Sequence, residues 1–360
     1  MNDNKTIMTL DAGGTNFVFS AMNADGPVGP QLTAPSHADD LDACISSLTD
    51  GFRSVRANLP DAPVAISFAF PGPADYPAGI IGDLPNFPAF RGGIPLGPML
   101  EDEFGIPVFI NNDGKLFAYG EAHAGVLPDV NRRLAEAGSG RRYRNLIGVT
   151  LGTGFGGGAV IDGQLLLGDN GTGGDLWCLP NELCRGLIAE ESVSIRAVRR
   201  VYAELSGDRS ILTPYDIFLI AEGKEQGDAA AARESFATLG RAAGDTLSTA
   251  ATLIDGIIAI GGGVAGAAKY IIPALVEEMN ADLALTDGTP VQRMQSHVYN
   301  LDDPKEFALF AADDTVEIPV PRSNRTVPYR RAKKTGVAVS RAGASASISM
   351  GAYLYAINHL

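Results

Sequence analysis

The sequence predicts an α/β protein built from two related domains that face each other. The chain has 360 residues, enough for about two domains of roughly 150 residues each. Short apolar runs of strand length alternate with longer segments of helical periodicity. One pattern occurs twice: a strand, a Gly/Thr turn, a second strand and an Asp-Gly turn begin at Thr9 and again at Thr150. The repeat indicates that each half carries a similar β-hairpin.

The predicted elements of the first half surround the first hairpin. Apolar residues recur at helical spacing over 41–58, and a second helix is predicted over 114–124. Either Asn112 or Asp113 would lie near the N-cap of that second helix, because both side chains accept hydrogen bonds from free backbone amides. The predicted strands are 6–11, 17–22, 63–70 and 107–110.

The second half follows the same plan and contains most of the helix. A strand at 146–151 opens the second hairpin, and another at 256–260 leads into a glycine loop. The predicted helices are 187–205, 228–255, 267–279 and 346–358.

These elements give a division into two domains. The predicted small domain comprises 1–118 plus 346–360, and the predicted large domain comprises 119–345. Insertions are predicted near 127–145 and 285–340 in the large domain, because both stretches are polar or charged. The second insertion is rich in Arg and Lys, so it is either a solvated charged hairpin or an arm that contacts another subunit.

Composition excludes several classes of protein. The chain has 28 Lys and Arg against 42 Asp and Glu, a net charge of −14, which disfavours binding to nucleic acid or anionic membranes. Three cysteines do not form a disulfide framework. We expect no signal peptide, no membrane span and a cytoplasmic location. A strand that starts by about Thr6 leaves no room for a DNA-binding helical module ahead of it.

Three glycine loops each follow a strand and indicate phosphate binding. Turns of Gly with Thr expose backbone amides and hydroxyls, which suit phosphate oxygens. No Gly-Lys-Ser/Thr sequence with P-loop spacing occurs. The pattern Gly152-x-Gly154-x-x-Gly157 precedes a strand and so lacks the context of a dinucleotide site, whereas Gly261-x-Gly263-x-x-Gly266 lies between a strand and a helix. An oxidoreductase that uses a dinucleotide is therefore one alternative.

The combined motifs resemble the ROK family of bacterial sugar kinases and sugar-responsive repressors, which belongs to the actin-like ATPase superfamily. The resemblance covers roughly 6–280 and the final helix. It implies two actin-like, ribonuclease H-like domains with a nucleotide and sugar cleft between them. The motifs are Asp11-Ala12-Gly13-Gly14-Thr15-Asn16, Pro85-Asn86-Phe87, Asn112-Asp113-Gly114, the segment from Leu151 to Gly158, and Gly261-Gly262-Gly263-Val264.

The resemblance implies a role for each motif in ATP-dependent phosphorylation of a hexose, with glucose as the first candidate. Asp113 would be the catalytic base. Asn86 and Asn112 would bind sugar hydroxyls together with Asp113. Asp11 would lie near the magnesium ion of Mg-ATP and contact it through water. The residues implied in ATP binding are Asp11, Gly13, Gly14, Thr15, Asn16, Gly152, Thr153, Gly154, Gly262 and Gly263.

Asp113 also fits phosphoryl transfer on chemical grounds, because that reaction needs a carboxylate to accept the alcohol proton. The dipole of the following helix favours an ionised side chain. We therefore expect a ready acceptor that is a weak base.

A homo-oligomer, with a dimer favoured, is expected.

One segment departs from the family pattern. ROK proteins usually carry a Glu-x-Gly-His segment and a cysteine-rich zinc loop. Here Asp175 stands where the family has Glu, and Cys178 stands where it has His, while only Cys184 follows. Because structural zinc takes four Cys or His ligands, we expect no zinc site.

The same segment leaves part of the sugar site open. Asp175 and Glu190 are the expected sugar-binding carboxylates, with Glu191 as the alternative to Glu190. Trp177 would stack on a sugar face or belong to the core. Because the segment is altered, a non-catalytic sugar-binding protein of the same fold is a second alternative to the kinase.

Overall fold

The computed structural model describes residues 5–84 and 87–360. The strands in these residues form two six-stranded sheets and three two-stranded ones. In chain order they are β1 Ile7–Ala12, β2 Asn16–Asn23, β3 Gly26–Pro27, β4 Leu32–Pro35, β5 Ala65–Ala69, β6 Ala74–Asp75, β7 Ile80–Ile81, β8 Val108–Asn111, β9 Leu146–Leu151, β10 Phe155–Ile161, β11 Gln164–Leu165, β12 Ile257–Gly261, β13 Asp282–Ala284, β14 Pro290–Gln292, β15 His297–Asn300, β16 Thr315–Pro319, β17 Thr326–Arg330 and β18 Lys334–Val339.

The helices are concentrated in the second half, as the periodicity predicts. Short 3-10 turns occur at Leu176–Cys178, Ala189–Glu191 and Gly263–Ala267. The α-helices are α1 Leu41–Ala57, α2 Leu96–Phe104, α3 Asp113–His123, α4 Val126–Glu136, α5 Ile195–Ser206, α6 Pro214–Ala221, α7 Ala229–Ile254, α8 Ala268–Met279, α9 Pro304–Ala311 and α10 Ala344–His359.

Two sheets of similar topology carry the fold. The first has the order β3-β2-β1-β5-β8, with β4 also paired to β2, and the second has the order β11-β10-β9-β12-β18-β15. In each sheet an antiparallel hairpin, β1–β2 or β9–β10, continues into parallel strands. The sequence repeat therefore corresponds to a structural repeat. The phosphate loops predicted at the two hairpins occupy equivalent positions.

Each sheet has its own apolar core. All five residues of β5 are buried, because β5 lies between β1 and β8. The core beside the first sheet is rich in phenylalanine, including Phe17, Phe52 and Phe87. Helices α7 and α8 pack together over the second sheet, and they contribute much of its core.

Helices α3 and α10 join the two halves. Helix α3 packs against β9 and β10 of the second sheet and against α10, which in turn contacts β1 and β5 of the first sheet. The boundary predicted at 118 falls inside α3, which runs without a break to His123. The division at that residue stays a prediction.

The two predicted insertions contain regular structure. Helix α4 occupies much of 127–145, and its side chains Val130 and Leu134 are buried. The segment 285–340 includes β15 and β18, which are strands of the second sheet. The β16–β17 ribbon is mostly exposed. Among the described residues, the structure contains no helix with the length and apolar character needed to cross a membrane.

Candidate functional site

The first hairpin loop is exposed and is supported by one serine. Asp11 lies at the end of β1, and its side chain is accessible, as are those of Thr15 and Asn16. The amide of Gly13 bonds to Asn16 O at 3.0 Å. Buried Ser36 donates from Oγ to Gly14 O at 2.6 Å and from its amide to Thr15 O at 3.0 Å. The predicted phosphate-binding residues of this loop therefore present their donors to solvent on a fixed backbone.

The start of α3 holds the predicted catalytic residue. Strand β8 ends at Asn111, and Asn112 is the N-cap, whose Oδ1 accepts from the amides of Gly114 at 2.9 Å and Lys115 at 3.4 Å. Asp113 is the first residue of the helix, and its Oδ1 also accepts from Gly114 N, at 2.8 Å. Of the two candidate N-caps, Asn112 takes that position, which fixes the backbone at Asp113.

The environment of Asp113 differs from the expected one. The residue is exposed to solvent, yet partial desolvation by the protein atoms packed around its carboxyl raises the pKa of that group. The negative charge of Asp11 raises this pKa further, while the amide of Gly114 opposes the increase. Desolvation therefore opposes the effect of the helix dipole on this carboxyl, and the base strength of Asp113 stays a prediction.

The electrostatic interaction with Asp11 also has a geometric meaning. Asp11 belongs to the first hairpin and Asp113 to α3, so the fold brings the two predicted site carboxylates near enough to interact. Burial raises the pKa of Tyr76, a hydrogen bond to Asn112 lowers it, and the negative charges of Asp113 and Asp175 raise it. The Tyr76 hydroxyl donates to Phe70 O at 3.0 Å. Three predicted sugar residues, Asn112, Asp113 and Asp175, thus lie near Tyr76.

The glycine run of β10 brings α3 against the second hairpin. A Cβ on Gly114 would clash with Gly157 N and would lie 2.9 Å from Gly157 O. Because neither backbone can move aside, only glycine allows this approach. Gly114 and Gly158 therefore serve helix packing, since a Cβ on Gly158 would also lie 2.8 Å from Lys115 Cα, and the exposed part of the predicted phosphate loop lies just before β10.

The second hairpin loop contains Gly152, Thr153 and Gly154. The Gly152 amide bonds to Gly154 O at 3.1 Å, and Gly152 O accepts from Ile195 N at 2.8 Å, which ties the loop to the start of α5. The Thr153 side chain is exposed. Arg196 donates to Thr153 O at 3.4 Å. The predicted phosphate-binding groups of this loop are accessible, as they are in the first.

Glu190 lies beside the second loop. Its Oε2 accepts from Phe155 N at 3.0 Å, and its Oε1 accepts from Arg196 at 2.9 Å. The Glu191 carboxylate accepts from Arg196 at 2.6 Å, and this contact lowers the pKa of Glu191. Glu190 is thus the member of the pair that reaches the loop, and its role in sugar binding stays a prediction.

The third loop lies next to the second. Gly262 has φ 91°, and a Cβ there would lie 2.6 Å from Leu151 N, at the end of β9. Gly263 has open space around it, with no atom within 4 Å of a Cβ position. A flat group could approach the backbone at Gly263 because no side chain blocks it.

Asp175 brings in a residue that sequence reasoning missed. Its carboxylate lies 3.3 Å from the Nζ of Lys115, which also donates to Gly171 O. The signal was present in the sequence, because a lysine in the first turn of a helix opposes the helix dipole and needs a specific partner. Asn86, the remaining predicted sugar ligand, lies outside the described residues.

The cysteine segment contains free thiols. Cys178 is exposed and Cys184 is half-buried, and neither forms a disulfide. Within 5–84 and 87–360, no three His, Cys, Asp or Glu side chains cluster in a way that would hold a metal ion. The expected absence of zinc stays a prediction. Trp177 is 44% exposed, so a core role for it was wrong.

Comparisons with known proteins agree with the geometry. The model of the ROK family matches residues 7–300. A glucokinase of Thermotoga maritima is 30% identical over 207 residues, which cover 55% of this chain and 60% of that protein. The chain thus spans about three fifths of that relative's length.

Solved structures match over the whole chain. The structure of a glucokinase from Parabacteroides distasonis has 61% sequence identity and a TM-score of 0.93, and the match covers 100% of this chain and 99% of that one. A ROK hexokinase from Thermus thermophilus matches with 20% identity and a TM-score of 0.66, over 98% and 99% of the two chains. The predicted α/β fold with two actin-like domains is confirmed.

Proposed function

The chain belongs to the ROK family, and on this basis we propose that it transfers the γ-phosphoryl group of ATP to a hexose hydroxyl. Glucose is the first candidate, because the similar proteins from Parabacteroides distasonis and Thermotoga maritima are named glucokinases. The observation that carries the proposal is the position of Asp113. Asp113 begins α3, its carboxylate interacts electrostatically with Asp11 of the first hairpin, and the helix start packs on the second hairpin.

The three loops bind ATP in this proposal. Exposed backbone amides and hydroxyls at Gly14, Thr15 and Thr153 donate to phosphate oxygens from the two hairpins. Gly13, Asn16, Gly152 and Gly154 shape the same two loops. The open backbone at Gly262 and Gly263 lies beside the adenosine.

Magnesium fits the residues at the first loop. Asp11 is an accessible carboxylate close enough to raise the pKa of Asp113, and Mg²⁺ prefers carboxylate oxygen, water and phosphate as ligands. Asp11 would hold the ion through water. When bound, the ion supplies positive charge that stabilises the transferring phosphoryl group. It would also offset the repulsion between Asp11 and Asp113.

The sugar lies on the other side of Asp113. Asn112 and Asp175 offer polar side chains near Tyr76, and Glu190 contacts the second phosphate loop. Asn86 completes this set by resemblance. Hydrogen bonds from several directions hold one hydroxyl oxygen toward the phosphate loops, and this orientation supplies a large share of the catalysis.

Asp113 accepts the proton in the chemical step. As the hydroxyl proton passes to the carboxylate, the hydroxyl oxygen bonds to the γ-phosphorus and the bond to the ADP oxygen breaks. A raised pKa makes the Asp113 carboxylate a stronger base than that of an ordinary aspartate.

Three coarser expectations accompany this function. We propose the domain division at 1–118 plus 346–360 and 119–345, a homo-oligomer with a dimer favoured, and a cytoplasmic location. The α3–α10 pair supports a two-domain enzyme, since it lies between the sheets. Separation of the domains about this pair would open the nucleotide cleft.

A coupled assay of ADP release tests the function. The purified protein with Mg-ATP is offered a panel of hexoses and N-acetylhexosamines, and the Asp113→Asn variant serves as the matched control. We expect ADP release with at least one hexose and none from the variant. Calorimetric sugar binding without ADP release would instead identify a non-catalytic sugar-binding protein. Binding of NAD rather than ATP would identify an oxidoreductase.

A further inference from the structure

Lys115 is a buried cation that the proposed chemistry does not use. Only 1% of its surface is exposed. It stands in the first turn of α3, where the helix dipole disfavours positive charge. Burying an ammonium group costs several kcal/mol unless partners replace its water. The contacts that compensate for this cost are therefore expected to serve a specific function.

The ammonium group of Lys115 contacts the segment that carries Asp175, one of the predicted sugar-binding residues. Its Nζ donates to Gly171 O and lies 3.3 Å from Asp175 Oδ1. The same atom is 5.8 Å from the centre of the Tyr76 ring, which adds a cation–π interaction. One ammonium group thus connects the start of α3 to two points of the segment between β11 and the 3-10 turn at Leu176.

That segment, 166–175, has little other support. It forms neither helix nor strand, and it turns through left-handed glycines at Gly168, Gly171 and Gly174. Most of its remaining bonds are between backbone groups, such as Gly173 N to Leu167 O at 2.8 Å, and the thiol of Cys178 donates to Asp175 O at 3.3 Å. Among the described residues, Lys115 is the one charged side chain from outside the segment that hydrogen-bonds to it. Glycine-rich backbone without such a connection would sample many conformations.

We infer that Lys115 is a positioning residue that fastens the 166–175 segment beside the sugar and orients the Asp175 carboxylate. This inference rests on the proposed kinase function, because Asp175 matters only if a sugar binds there. The ion pair occupies Oδ1 of Asp175. The other carboxylate oxygen remains as an acceptor for a sugar hydroxyl. Lys115 sets sugar affinity in this way, and it takes no part in proton transfer.

The Lys115→Met variant tests the inference, because methionine keeps most of the side-chain length and removes the charge. We expect the KM for the hexose to rise by about 10- to 100-fold, the effect of losing a hydrogen bond to a charged group. The KM for ATP should stay within about twofold, since the phosphate loops lie elsewhere. Lys269→Met is the matched control, because Lys269 is an exposed lysine on α8.

Two further measurements separate positioning from general stability. Amide hydrogen exchange should become faster in 166–175 of Lys115→Met and stay unchanged in α7. Asp175→Asn should raise the hexose KM in the same direction. The double variant should then be little worse than either single variant, because both remove one interaction.

The outcomes distinguish this inference from the proposed function. A hexose KM and a segment exchange rate equal to wild type in Lys115→Met would overturn the inference, even if the enzyme is an active kinase. If wild type phosphorylates no sugar, the exchange measurement still tests the fastening while the kinase proposal fails. If Lys115→Met does not fold, the Asp175→Asn variant decides, and unchanged exchange in 166–175 would then count against the inference.

Discussion

The two hairpin loops have similar sequences but different surroundings. The loop between β1 and β2 is supported by Ser36, through two neutral hydrogen bonds. The loop between β9 and β10 is supported by Glu190, Arg196 and the start of α5, and α3 packs on the strand that follows it. The support of the first loop therefore does not involve the other predicted site residues. The second is connected to the residues predicted to bind sugar, so changes there should affect both substrates.

The largest effect is expected at Asp113, where α3 meets both hairpins. Asp113→Asn keeps the shape and the bond from Gly114 but removes the proton acceptor, so turnover should fall by about 10²–10⁴-fold. ATP binding, measured by calorimetry, should be nearly unchanged. More than a tenth of wild-type turnover would show that Asp113 is not the base.

The pH dependence of the wild-type enzyme reports on the same group. Asp113 must be ionised to act, and its pKa is raised, so kcat/KM should fall on the acid side at a pH above the ordinary aspartate value of about 3.9. A raised pKa also means that the folded state favours the protonated carboxyl. The stability that the bound proton contributes is present at low pH and is lost as pH rises through the folded pKa. Asp113→Asn should therefore be at least as stable as wild type at neutral pH. A lower melting temperature would contradict this.

The contact between α3 and β10 tests the difference between the two hairpin loops, because it belongs to the second hairpin. Gly114→Ala should destabilise the protein by about 1–3 kcal/mol, since backbone atoms of β10 occupy the position of the new Cβ. Urea denaturation measures this loss. Gly152→Ala is the control, because a Cβ there meets no atom within 4 Å. Equal stability of the two variants would mean that the close approach is absent.

Removal of one support from each loop compares them directly. Glu190→Gln weakens the bonds to Phe155 N and Arg196, and it should raise the KM for both sugar and ATP. Ser36→Ala removes one bond to Gly14 O, worth about 0.5–1.5 kcal/mol, and should raise only the KM for ATP. Steady-state kinetics with each substrate varied in turn distinguishes the two patterns. If both variants affect ATP alone, the loops are equivalent and the contrast drawn here is wrong.

The smallest effect is expected between the second hairpin and Glu190, where the family usually carries zinc. Elemental analysis of the dialysed protein should find no stoichiometric zinc, because Cys178 and Cys184 supply only two of four ligands. A zinc-selective chelator should leave the melting temperature unchanged. About one zinc per chain would refute this and would make Cys178 a ligand.

Sequence reasoning located the hairpins and the main helices more accurately than the segment between them. Periodicity predicts a helix over 187–205, but α5 begins only at Ile195, after a 3-10 turn at Ala189–Glu191. There Glu190 turns toward Phe155 N, and the Asn181 side chain binds Ile188 O at 3.2 Å. These long-range hydrogen bonds compete with helix formation, and periodicity carries no information about them.

The sequence by itself determined the α/β class and the repeated hairpins, because strand alternation, helical spacing and short glycine motifs are local properties of the chain, while its resemblance to the ROK family supplied the candidate residues. Tertiary structure alone decided three features of the site. It raised the pKa of Asp113 through desolvation, assigned Gly114 and Gly158 to helix packing, and paired Lys115 with Asp175 across 60 positions of sequence. Each of these depends on which groups meet after folding, and burial and charge pairing act through space rather than along the chain.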